Sequence, residues 1–217
     1  MWESRTGRFD FYSKSIGGSD TAAPIAPETA PDAGGANNQW FPHSWSSDGL
    51  WIAGAMNDAA GGTDVFLVSL DGSGERRAYV DSQFDENEPA ISPDGRWIAW
   101  SSTESGRKEI YVGSFPEAGR RWQVSTGGGS EARWRGDSQE LFFRSPTDEI
   151  MSVEMNSSGE ALRIGRTESL FQAPLAAFPN WDYAVTADGQ RFLLNTRIDD
   201  DAATPLRLIV NWPQLLE

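Results

Sequence analysis

A short hairpin signature returns four times along the 217-residue chain, and its spacing restricts the fold more than any other feature. It reads Ser46-Ser47-Asp48-Gly49 ahead of Leu50-Trp51-Ile52-Ala53, and Ser92-Pro93-Asp94-Gly95 ahead of Arg96-Trp97-Ile98-Ala99-Trp100. A decayed copy, Arg135-Gly136-Asp137-Ser138, precedes Gln139-Glu140-Leu141-Phe142-Phe143, and a fourth, Thr186-Ala187-Asp188-Gly189, precedes Gln190-Arg191-Phe192-Leu193-Leu194. The four aspartates lie 46, 43 and 51 residues apart. A period of about 40–50 residues is that of one four-stranded propeller blade, which buries its faces only against neighbours of the same kind.

The local chemistry agrees. Proline presets φ at one turn position, aspartate caps the turn, and glycine takes the positive φ. Apolar and aromatic runs stand on both sides, as two antiparallel strands require. A second motif recurs out of phase: Gly7-Arg8-Phe9-Asp10-Phe11-Tyr12, Gly61-Gly62-Thr63-Asp64-Val65-Phe66 and Gly106-Arg107-Lys108-Glu109-Ile110-Tyr111, with a weak echo in Glu149-Ile150-Met151. It marks the turn into a third strand, and Leu70-Asp71-Gly72-Ser73-Gly74 the turn into a fourth. No stretch sustains a 3.6-residue apolar period, so helix is expected to be scarce.

The expected fold is therefore all-β, a β-propeller of four-stranded antiparallel blades. Four to five blades are present, an incomplete form of a six-bladed ring. Residues 1–38 hold a partial first blade and a Gly/Ala/Pro-rich loop, and blades follow near 39–85, 86–128, 129–178 and 179–217. An open arc would leave an apolar flank and free strand edges, so self-association through an open propeller edge is expected.

Composition acts by exclusion. Acids outnumber bases by 32 to 18, a net charge of −14 that repels phosphate backbones and argues against nucleic acid. Zero cysteines remove thiolate metal sites, disulfides and a cysteine nucleophile. Runs such as Leu206–Val210 are far too short for a membrane span, and the start of the chain does not read as a signal peptide.

Ser92-Pro93-Asp94-Gly95-Arg96-Trp97-Ile98-Ala99, Gly106–Val112 and Phe115-Pro116 resemble the TolB-like (PD40, WD40-like) propeller repeat. Trp122–Ser130, Arg133-Trp134-Arg135, Glu140–Phe143 and Asn211-Trp212 are similar to the C-terminal propeller of bacterial serine/threonine protein kinases. Ser138 in place of the turn glycine and Ser47 in place of proline depart from the pattern. The resemblance implies a non-catalytic protein- or ligand-binding module, the extracytoplasmic sensor or scaffold region of a receptor-type kinase, with a protein or peptide partner and no cofactor. It implies as alternatives the gating propeller of a prolyl-oligopeptidase-type peptidase split from its catalytic domain, or a periplasmic TolB-like translocation protein.

Enzymatic signals are thin. Ser19, Ser73 and Ser130 sit beside glycines, but none has glycine at both positions of a Gly-x-Ser-x-Gly elbow. The single histidine, His43, reads as a packed residue of an innermost strand. Asp199-Asp200-Asp201 lacks the alternating ligands of a calcium loop, and Gly127-Gly128-Gly129 reads as a turn between blades. Trp45, Trp51, Trp97 and Trp134 recur at fixed places and read as inter-blade packing. A ligand-stacking role would fall to a loop tryptophan, Trp40 or Trp181.

One pattern points to binding. Six residues before the turn aspartates stand Glu88, Glu131 and Asp182, with Pro42 as the exception. All are expected just ahead of the strand lining the central channel, gathered at one rim. Like charges held close repel unless a cation occupies the space. The expectation is a shallow acidic channel mouth for a cationic partner group.

Overall fold

The computed structural model describes residues 12–14, 21, 23–24, 40–57, 61–158, 161–173, 175, 182–196 and 208–210. Among them the backbone is strand and turn, with no helix. A short antiparallel ribbon joins β1 (Tyr12–Ser13) to β2 (Ala23–Pro24). The first blade comprises β3 (Trp40–Trp45), β4 (Trp51–Asn57), β5 (Thr63–Ser69) and β6 (Arg76–Val80). The second comprises β7 (Glu86–Ile91), β8 (Trp97–Ser102), β9 (Glu109–Ser114) and β10 (Arg121–Gln123). The third comprises β11 (Ser130–Trp134), β12 (Glu140–Arg144), β13 (Glu149–Ser158) and β14 (Ala161–Gln172). A fourth sheet contributes β15 (Tyr183–Val185), β16 (Arg191–Leu194) and β17 (Leu208–Val210) among the described residues. Each sheet is an antiparallel meander in chain order, and the first strands β3, β7 and β11 neighbour one another, as in a β-propeller.

The repeated hairpin joins strands one and two of every blade. Its registers pair Trp45 with Ile52, Ile91 with Ile98, Trp134 with Leu141 and Val185 with Phe192. Asp48 Oδ1 accepts the N–H of Leu50 at 2.9 Å, and Asp94, Asp137 and Asp188 do the same for Arg96, Gln139 and Gln190. These bonds lower the Asp48 and Asp188 carboxyls below the usual carboxylate range, beginning with the hydroxyls of Ser46 and Thr186. Gly49, Gly95 and Gly189 take φ of 76°, 67° and 72°. Ser138 accepts the same left-handed place at φ 61° without being glycine, and its hydroxyl is put to use across blades.

Strand alternation sends successive side chains of each second strand to opposite faces. Ile98 and Leu141 face the preceding blade, while Ala53, Ala99 and Phe142 face the following one. Three apolar layers result. Ala53 and Leu67 meet Ile98 and Trp100, Ala99 and Val112 meet Leu141 and Phe143, and Phe142 and Ile150 meet Tyr183 and Phe192. Phe142 meets Phe192 edge-on at 5.2 Å, and each fully buried ring of this size contributes about 1.5–3 kcal/mol. Trp134 packs between blades, donating its Nε1–H to the Ala90 carbonyl at 2.9 Å, whereas Trp45, expected to pack in the same way, is 56 % exposed. Trp51 likewise meets Phe115 of the second blade edge-on at 6.3 Å.

The turns also bond in sequence. Ser47 Oγ donates to the Pro93 carbonyl at 2.7 Å, Asp94 N–H to Ser138 Oγ at 3.0 Å, and Gly136 N–H to the Ala187 carbonyl at 2.8 Å. A Cβ at Gly136 would come within 2.7 Å of the Ala187 carbonyl oxygen, so glycine permits this approach.

Candidate functional site: a carboxylate ladder across the first strands

The first strands are not regular. β3, β7 and β11 each break register, between Pro42 and Ser44, Asn87 and Ala90, and Ser130 and Arg133. Such a bulge re-aims one side chain and leaves its N–H outside the ladder. The bulge residues of β7 and β11 are Glu88 and Glu131, at φ 57° and 56°. Left-handed backbone costs an ordinary residue about 1 kcal/mol or more, so the bonds made there must offset it.

They do so by running from blade to blade. Glu88 Oε2 accepts the main-chain N–H of Glu131 at 2.9 Å, and Ser101 Oγ donates to the same oxygen at 3.1 Å. Glu131 Oε2 in turn accepts the N–H of Asp182 at 3.0 Å. Tyr183 donates its hydroxyl to the Glu131 carbonyl at 2.7 Å. Glu88 thus holds the bulge amide of the third blade, and Glu131 the amide of Asp182, just ahead of β15.

The second oxygens meet cations. Lys108 Nζ lies 3.5 Å from Glu88 Oε1. Arg144 Nη1 lies 3.3 Å from Glu131 Oε1 and 2.6 Å from Asp182 Oδ2, while its Nη2 reaches Asp148 at 2.5 Å. Glu88, Glu131 and Asp182 are 8 %, 5 % and 0 % exposed. Burial pushes the Glu131 and Asp182 carboxyls up, and contact with Arg144 pulls against it. Charge-assisted bonds of this kind are the strong class, and the single Arg144 guanidinium is shared among Glu131, Asp182 and Asp148.

The structure therefore brings all three sequence-selected acids together, with a correction of place. Glu88 and Glu131 lie inside β7 and β11, because the bulge lets the strand continue past them, and only Asp182 sits just ahead of its strand. Pro42 has neither a carboxylate nor an N–H for the ladder. At that interface Ser44 Oγ accepts the Ile91 N–H at 3.0 Å, and Asn87 Oδ1 takes the orphaned Glu88 N–H at 2.8 Å.

His43 lies in β3, and burial lowers its pKa from 6.5 to about 4, with Glu88 pulling upward and Arg133 downward. Trp40 is not a loop residue: it begins β3, is 7 % exposed, and carries the Arg76 guanidinium 5.7 Å from its ring. Trp181, Asp199–Asp201 and Asn211-Trp212 lie outside the described residues. Gly128 donates its N–H to both Glu109 carboxylate oxygens at 2.9 Å, so the triple glycine closes a turn.

A second set of acids recurs at the start of the third strands. Glu109 and Glu149 begin β9 and β13 and Asp64 is the second residue of β5, and each holds a nearby turn or strand. Asp64 takes the Ser82 N–H at 3.3 Å, Glu149 the Ser169 hydroxyl at 2.9 Å, and Glu109, 0 % exposed, Arg107 Nε at 2.7 Å, the Ser125 hydroxyl and the Gly128 amide. The signal was the out-of-phase motif itself, whose acid never varies to a neutral residue. Among the described residues no group of three or more His, Asp or Glu is placed to hold a metal ion, and no helix is long and apolar enough to cross a membrane.

No family model matches the chain. It is 39 % identical over 72 residues to tricorn protease homolog 1 of Streptomyces coelicolor, a stretch that is 33 % of this chain and 6 % of that protein. Among solved structures, TolB from Acinetobacter baumannii superposes with a TM-score of 0.65 at 16 % identity, covering 91 % of this chain and 45 % of that one. A Mycobacterium tuberculosis puromycin-hydrolyzing peptidase superposes with a TM-score of 0.57 at 20 % identity, covering 80 % of this chain and 30 % of that one. The chain thus spans less than half of each protein it resembles here, and the likeness is one of fold: the propeller of TolB and of peptidases.

Proposed function

We propose that this chain is a non-catalytic binding module, with protein or peptide as its partner, working as the sensor or scaffold region of a bacterial receptor-type serine/threonine kinase on the extracytoplasmic side. The observation that carries the binding reading is the use made of its repeated polar side chains. Glu88, Glu131, Asp182 and the turn aspartates all hold neighbouring backbone or cations of the same protein. The repeat invests its polar chemistry in a rigid frame, and recognition on such frames falls to the loops at one end. The kinase setting rests on the sequence resemblance. The partner's contact is proposed to be a cationic group drawn to the acidic end that Glu88, Glu131 and Asp182 underlie, where Glu88 Oε1 has Lys108 at 3.5 Å as its cation.

The test is fluorescence anisotropy with a labelled Lys/Arg-rich decapeptide and a Ser/Gly control of equal length. Saturable, salt-sensitive binding of the cationic peptide supports the reading. Glu88→Gln, which keeps an oxygen acceptor for the Glu131 amide, should then weaken binding by about tenfold, the scale of one charged hydrogen bond. Equal binding of both peptides, or cleavage of either, overturns it.

A second reading has its own observation: the 72-residue match to a tricorn protease homolog. There the propeller would gate a peptidase whose catalytic residues lie in other sequence. An adjoining reading frame with a Gly-x-Ser-x-Gly elbow supports this reading, and one with a His-Arg-Asp catalytic loop supports the kinase.

A further inference from the structure

Two junctions between blades follow one plan, and one of them carries a carboxylate that the other lacks. Trp51 and Trp97 open the second strands of the first two blades and pair with Ser69 and Ser114. Against Trp51 the second blade sets Phe115, edge-on at 6.3 Å, and two residues further along comes Glu117. The Arg77 guanidinium lies 4.8 Å from the Trp51 ring, and its Nη1 donates to both Glu117 carboxylate oxygens, at 2.8 and 2.9 Å. A tryptophan, an arginine laid on it and an acid from the next blade thus meet at this junction.

The third blade offers Trp97 a different segment. Met155 holds the place of Phe115: its N–H bonds the Gln139 carbonyl at 2.9 Å, as the Phe115 N–H bonds the Arg96 carbonyl at 2.9 Å. Met155 and Trp97 share one apolar cluster. Two residues further along stands Ser157, where the other junction has its acid. The Arg96 guanidinium lies 5.4 Å from the Trp97 ring and donates from Nη1 to Ser157 Oγ at 3.3 Å.

A cleft of about 480 Å³ lies at this second junction, and Arg96, Trp97, Phe115, Glu117, Arg120 and Trp122 help to line it. Its size falls within the range of small-ligand sites. Trp122 is half-buried and meets Trp97 edge-on at 5.7 Å. The Glu117 charge is answered by Arg77, whereas Arg120 is exposed and has no ion pair among the described residues. The cleft is therefore basic, on a chain of net charge −14.

We propose that this cleft binds an acidic peptide segment, its side-chain carboxylate taken by Arg96 and Arg120 and a neighbouring apolar side chain laid against Trp122. Charge complementarity selects the acid, and the guanidinium fork suits a carboxylate. Glu117 on Arg77 shows the same chemistry satisfied within the protein. The cleft sits at the Trp97 end of β8, about 13 Å along the strand from Ser101, which bonds Glu88. It is thus a second site, and it does not depend on the cationic contact proposed above.

The test is fluorescence anisotropy of the full chain with a labelled, C-terminally amidated peptide copying residues 113–119, Gly-Ser-Phe-Pro-Glu-Ala-Gly. Saturable binding that weakens with salt is expected, and glutamine in place of the peptide's glutamate should weaken it about fivefold, the scale of an exposed ion pair. Arg120→Gln should cost the same factor. Arg121→Gln, whose parent side chain pairs with Glu104 at 2.8 Å, should bind like the parent. Ser157→Glu supplies the missing carboxylate from within and should block the peptide. Ser157 and Arg120 are both exposed, and unchanged urea midpoints or a raised one for Ser157→Glu would show the fold intact. Equal binding of the glutamate and glutamine peptides overturns the proposal, as does undiminished binding by Ser157→Glu. A phosphoserine peptide that binds where the glutamate peptide does not would replace the carboxylate with a phosphate. Equal affinity for N-acetylglutamate amide would make a small acid the ligand and overturn the peptide.

Discussion

The boundary between the third and fourth sheets and the opposite flank of the fourth sheet are built from the same positions. At the first, Phe142 is 1 % exposed against Phe192, and Glu131 closes on the Asp182 amide with Arg144 alongside. At the second, Leu193 is 51 % exposed and Asp182 Oδ1 has no donor. Residue type alone does not separate them, since Phe142 and Leu193 are both large and apolar. A repeat position acquires its energetic weight from the neighbour that covers it, so equivalent substitutions should differ by a few kcal/mol, a sizeable share of the stability of a small domain.

The largest effect is expected at the covered position. Phe142→Ala should cost about 3–5 kcal/mol in urea unfolding, and Leu193→Ala no more than about 0.5 kcal/mol. Equal costs would erase the distinction between the two flanks. Arg144→Met should follow, at about 3 kcal/mol at pH 7, because it leaves Glu131 and Asp182 as buried charges without their cation. Both carboxyls already sit above their ordinary values through burial. The folded state therefore binds more protons than the unfolded one just above the carboxylate range, so stability from these groups falls as pH rises through that window. The Arg144→Met deficit should accordingly shrink near pH 5, and a pH-independent deficit would mean that Arg144 acts by packing alone.

His43 titrates in the opposite sense. Its folded pKa is lowered to about 4 from 6.5, so its stabilising contribution is complete above pH 6.5 and is lost as pH falls toward 4. The loss is on the order of 3 kcal/mol at most. In His43→Leu, denaturant midpoints at pH 7 and pH 4.5 should lie closer together than in the parent, and an unchanged gap would assign the acid sensitivity to other groups. The smallest effect is expected at Ser138→Gly. Relief of the left-handed backbone and loss of the Ser138 Oγ bond to Asp94 are each worth about 1 kcal/mol, leaving a net change within about 0.5 kcal/mol.

Much of the frame was legible in the chain. Aspartate and glycine mark the hairpins because few residues satisfy a tight turn at positive φ, and the spacing between them gives the blade. Glu88, Glu131 and Asp182 stood out because each keeps a fixed distance from its turn. Their task did not, because it depends on partners far along the chain: Arg144 is 38 residues before Asp182, and the Glu131 amide is 43 residues after Glu88. A bulge also shifts a strand by one residue without leaving a composition signal, which is why Glu88 and Glu131 lie inside strands they were expected to precede. Trp40 shows the same limit: its flank looks like loop sequence, yet Gly54, whose Cβ would strike the Trp40 ring at 2.4 Å, leaves the space that lets it begin a strand.

The hydrogen bonds between the second and third blades include two separated fastenings, the turn bond from Asp94 to Ser138 and the bulge bond from Glu88 to Glu131. A single fastening would let neighbours swivel about it, whereas two define a line and resist both swivelling and sliding. Load applied to a loop at one end would then be shared by the whole pair of blades, and the pair would answer mechanically as one stiff plate.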